Sequence, residues 1–113
     1  MQDLLKDIQA NITLLDRAIG EFKERGRNLA EKERKYRVAL AQFISVQRSE
    51  NKTPATLLAD LARGDRDIAT LRQDRDIAQS LYDSCKEAIN VYKLKIRVID
   101  SQIEREWTSG GKT

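Results

Sequence analysis

Apolar residues recur along this chain in two heptad ladders separated by its single proline. The first runs Leu5, Ile8, Ile12, Leu15, Ile19, Phe22, Gly26, Leu29, Glu33, Tyr36, Leu40, Phe43, Gln47. Its steps alternate between three and four residues, and ten of its thirteen rungs are apolar or aromatic. The second runs Ile68, Leu71, Arg75, Ala78, Tyr82, Cys85, Ile89, Tyr92, Ile96, Ile99, Ile103, Glu106. This spacing places every rung on one side of an α-helix, as a seam that another helix must cover.

The ladders predict a first helix over about 3–50 and a third over about 65–107. Between them, Thr53 is a suitable N-cap and Pro54 a suitable first helical residue for a short helix over about 54–62. Leu57, Leu58 and Leu61 give that helix one apolar face. Gly64 fits its C-cap, and Asp65 caps the next helix. Residues 1–107 then form one helical-hairpin domain, and 108–113 form a flexible Gly- and Ser-rich tail.

The fold class is all-α: a long antiparallel, coiled-coil-like hairpin with a short intervening helix. A register with Gln47 near Ile68 places Gly26 near Ile89 and Phe22 near Tyr92. Gly26 is a close helix approach, a mild kink or a hinge. The third helix carries a second apolar line behind its seam: Ile77, Leu81, Val91, Leu94 and Val98. One partner helix cannot cover both lines. The short helix reaches Ile77 and Leu81 but not Val91 to Val98, so the hairpin is expected to dimerise into a helical bundle through this face.

Composition agrees with exposed helices. The chain is 40% hydrophobic and 35% charged, with five Gly and one Pro; long paired helices tolerate such polarity where a compact core does not. The formal net charge of +3 arises in residues 21–37, where seven Lys and Arg face four Glu. Lys23, Arg27, Arg34 and Arg37 there form part of a possible positive stripe for phosphate backbones. Tyr36, the aromatic inside that window, lies on the seam and offers bases no stacking platform. A solvated helix face is the simpler account of the stripe.

Catalysis finds little raw material. The absence of His removes Ser-His-Asp and Cys-His chemistry and His-based zinc sites. The single cysteine, Cys85, occupies a rung, where a thiol acts as a small hydrophobe. Most carboxylates alternate with Lys or Arg as solvated pairs. Glu33 and Arg75 are the charged intrusions on the seams; in the register above they do not meet within one chain, which leaves pairing between chains open. Gly110-Gly111-Lys112-Thr113 resembles the end of a phosphate loop, but Glu106 stands where that pattern needs Gly. Arg63-Gly64-Asp65 spells a cell-adhesion tripeptide, which adjoining helix caps explain better.

The stretches Lys35 to Ala41, Thr53 to Asp65, Glu87 to Lys95 and Arg105 to Trp107 resemble small helical proteins encoded in prophages of Gram-positive bacteria. The resemblance covers most of the chain beyond residue 30 and rests on packing and capping patterns. It implies a phage accessory protein in the bacterial cytoplasm, and no site residues carry over.

The expected protein is therefore a non-enzymatic accessory protein that binds a macromolecule through its helical faces. A host defence, replication or recombination factor is the expected kind of partner, beside a second copy of the chain. The alternative is a nucleic-acid-associated protein using the basic stretch of helix one. No catalytic, cofactor-binding or metal residues are expected, nor a small-molecule substrate. The amino-terminal residues lack the basic and apolar regions of a leader, and no apolar run approaches the ~20 residues of a membrane span. A soluble, cytoplasmic protein is the expectation.

Overall fold

The computed structural model describes residues 1–111. Three α-helices follow in order: α1, Gln2–Ser49; α2, Ala55–Gly64; and α3, Arg66–Gly111. No strand occurs among the described residues. The chain is all-α, and α1 packs against α3 as a helical hairpin. The expected stop of α3 at Trp107 is corrected, because the helix continues to Gly111. Thr108 and Ser109 are poor helix formers but not breakers, and only the glycine pair opposes further propagation. Of the expected tail, Lys112 and Thr113 lie outside the described residues.

The turn after α1 is built differently from the capping pattern. Lys52 takes a left-handed φ of 54°, the conformation that commonly stops a helix. The Thr53 N–H donates to the Gln47 carbonyl at 2.9 Å, and its hydroxyl donates to Gln47 Oε1 at 2.9 Å. Thr53 is thus held by the end of α1 and does not cap α2; Pro54 takes the N-cap position with no side-chain bond. Asp65 behaves as expected, with Oδ2 accepting from the Ile68 N–H at 3.1 Å.

The helices divide between two compact units. One unit comprises Arg25–Tyr82 and holds the second half of α1, all of α2 and the start of α3. Ala62, Ile68 and Ala78 are its buried centre. Leu58 and Ala62 of α2 turn toward Leu40, Ile44 and Ile68, whereas Leu57 and Leu61 stay exposed. The expected face of Leu57, Leu58 and Leu61 is therefore corrected. Small side chains let α2 approach the α1–α3 groove, so the alanine-bearing face is the one that packs.

The register within this unit also differs from the expectation. Gly26 lies beside Tyr82, seven positions before the expected Ile89; a Cβ on Gly26 would meet the Tyr82 ring at 3.5 Å. Glu33 meets Arg75 in the same register. A slip of one heptad returns each seam residue to the seam, so periodicity cannot distinguish the two registers. Gly26 beside Tyr82 and Glu33 beside Arg75 identify the register adopted, while Gln47, expected near Ile68, is bonded to Thr53.

The other unit comprises Met1–Glu24 and Asp83–Thr113. Among its described residues it pairs the start of α1 with the later part of α3 and has no third helix. Ala18, Cys85 and Ile89 are its buried centre. Cys85 Sγ donates to the Ala18 carbonyl at 3.4 Å, and the small Ala18 side chain permits that approach. Ile8, Leu15 and Phe22 are half-buried as expected, but Leu5, Ile12 and Ile19 are exposed. The same heptad position continues as Gly26, Glu33, Leu40 and Gln47, and those four are half-buried. Their neighbours are, in turn, Tyr82, Arg75, α2 and Thr53. In the two-helix unit no third helix is present among the described residues to cover Leu5, Ile12 and Ile19.

Candidate functional site

The expected partner face is the second apolar line of α3. Within the α2-bearing unit, Ile77 and Leu81 are exposed, which corrects the expectation that α2 shields them. Within the two-helix unit, Val91, Leu94 and Val98 are all exposed, Leu94 at 57%. Three large aliphatic side chains within eight residues of one helix face solvent there. Leu5, Ile12 and Ile19 on α1 form a further exposed apolar line in that unit. Sequence reading placed these three on the covered seam. Heptad spacing alone gives no signal that separates them from covered rungs.

The expected nucleic-acid contacts are less free than their spacing implies. Lys23 lies in the two-helix unit, while Arg27, Arg34 and Arg37 lie in the other. Arg37 Nε donates to Glu33 Oε1 at 2.6 Å, and Arg27 is also engaged. Lys35, in the same window, pairs with Glu31 at 3.2 Å. The interspersed glutamates neutralise much of the stripe locally, as i,i+4 pairs do on exposed helices.

The seam charges form a network inside one chain. Glu33 Oε2 accepts from Arg75 at 3.4 Å, so Glu33 bridges Arg37 and Arg75. Arg75 also holds Asp76 at 2.9 Å and stacks over the Tyr36 ring at 4.7 Å. Pairing between chains is thus not needed to satisfy either intrusion. The hydrogen bond from Arg37 holds the Glu33 carboxyl below its ordinary value; partial burial opposes this, and Arg75 adds to the lowering. Asp76, ahead of Glu33, holds Arg75 in its charged form.

A depressed folded-state pKa stabilises the protein above the unfolded value and stops doing so as pH falls through the folded one. Glu33→Gln should therefore lower the thermal midpoint at pH 7. The gap from wild type should shrink as pH falls below about 4.3, the ordinary glutamate value. Thermal melts from pH 7 to pH 3 check this; a constant gap across that span contradicts the network.

No helix among the described residues is long and apolar enough to cross a membrane. No family model matches the chain, and no curated protein or solved structure is similar to it.

Proposed function

We propose that this is a non-enzymatic interaction protein whose two-helix unit is completed by a second copy of itself. The observation that carries this reading is the exposed set Val91, Leu94 and Val98 in a unit with no third helix among its described residues. Two helices pairing with two helices of another copy give a four-helix bundle, the smallest arrangement that buries both apolar lines. Area supports it. The chain exposes 8421 Å², against roughly 6,300 Å² for a folded monomer of its mass. A standard interface removes about 800 Å² per partner, well within that excess.

The resemblance to prophage-encoded helical proteins supports a phage accessory role in the bacterial cytoplasm. A host defence, replication or recombination factor then engages helical faces that the dimer leaves open. Nucleic-acid contact is the weaker reading, because Arg37 and Arg27 are already engaged within the chain.

Dimerisation predicts stability that depends on concentration. The thermal midpoint should rise by several degrees between about 2 and about 200 µM protein, since mass action favours the associated folded state. Midpoints that coincide over that range contradict the proposal.

A further inference from the structure

The α2-bearing unit contains a groove that the proposed dimer does not use. It is a half-open cavity of about 560 Å³ where α2 lies against α1 and α3. That is within the roughly 300–1,000 Å³ of small-molecule sites. Leu40, Ile44, Leu58 and Ile68 supply an apolar floor. Arg63, Arg72 and Arg75 are the charged residues in its lining, and no carboxylate lines it.

The three guanidiniums are not equivalent. Arg75 is balanced by Asp76 and Glu33. Arg63 reaches Asp60 only at 4.0 Å, with both side chains largely exposed. Arg72 is half-buried and has no hydrogen bond or ion pair among the described residues. The acid four residues on is Asp76, whose Oδ1 accepts from two nitrogens of Arg75 instead. An uncompensated guanidinium thus sits at the margin of an apolar floor. Its planar donor fork matches a carboxylate.

The geometry points to this groove as a binding site for an amphipathic carboxylate: an apolar chain laid along Leu40, Leu58 and Ile68, with its anionic head on Arg72 and Arg63 beside it. The ligand is bound and not transformed, so the site requires no catalytic group. Nothing in the heptad pattern announces it, because it forms only when α2 folds back onto the other two helices. It is independent of the proposed dimer, whose failure would leave it untouched.

Titration of the ¹⁵N-labelled full chain with octanoate, octanol and acetate tests the site. Octanoate should give saturable shifts in amides of residues 55–63 and 66–75. Octanol should bind about tenfold more weakly, and acetate more weakly still, because each lacks half of the recognition. Arg72→Gln, which breaks no contact, should keep its thermal midpoint and lose about tenfold in octanoate affinity. Shifts that do not saturate or that centre on Leu94 overturn the proposal. Equal binding of octanol and octanoate, or of wild type and Arg72→Gln, also overturns it.

Discussion

Ile89→Asp is expected to remove the cooperative unfolding transition, or to lower its midpoint by well over ten degrees. Ile89 is 9% exposed and sits with Ala18 and Cys85 at the centre of the two-helix unit. The substitution loses about 1.5–3 kcal/mol of apolar burial. It also places a carboxylate where water is largely excluded, which costs several kcal/mol more unless the group stays protonated. Small domains have only about 5–15 kcal/mol of net stability. Among the described residues the buried centres of the two units comprise six residues, four of them alanine or cysteine, so little reserve exists to absorb the loss. Circular dichroism melts at neutral pH check this. Ile77→Asp, at a position 51% exposed, serves as the control and should melt close to wild type. A wild-type melt for Ile89→Asp would show that the seam of α3 is misplaced.

Leu94→Lys should act on association and not on the fold of a single chain. Leu94 is 57% exposed, so a lysine there reaches water in the monomer without strain. In a bundle built on Val91, Leu94 and Val98 it would meet apolar side chains, twice per symmetric dimer. Burying an unpaired ammonium costs at least a few kcal/mol, and about 3 kcal/mol already weakens association roughly a hundredfold. Helical content below the transition should match wild type, while the rise of thermal midpoint with protein concentration should vanish.

Much of the fold was legible because heptad periodicity is a strong signal over forty or more residues. Both long helices, the break after Ser49 and the cap at Asp65 follow from Leu, Ile and Tyr spacing and from local turn chemistry. The register was not legible. Seam residues repeat every seven positions, so a pairing of Gly26 with Tyr82 looks the same in sequence as one with Ile89. The contacts of Gly26 with Tyr82 and of Glu33 with Arg75 distinguish them, and no period encodes those. Burial of Leu5, Ile12 and Ile19 was overestimated for a related reason: a rung is covered only where a partner reaches, and the unit that holds these three has no third helix among its described residues. The exposed line at Val91, Leu94 and Val98 was legible, since it lies off the seam at helical spacing. The groove around Arg72 was not, because its walls come from three helices whose approach depends on Ala62 and Leu58 facing inward.

The most direct test of the central claim is mass in solution by light scattering, on wild type and Leu94→Lys side by side at micromolar concentration. Completion of the two-helix unit by a second copy predicts about twice the 13.0 kDa chain mass for wild type and a shift toward 13.0 kDa for the variant. A wild-type protein of 13.0 kDa throughout that range, or a variant as heavy as wild type, would contradict it.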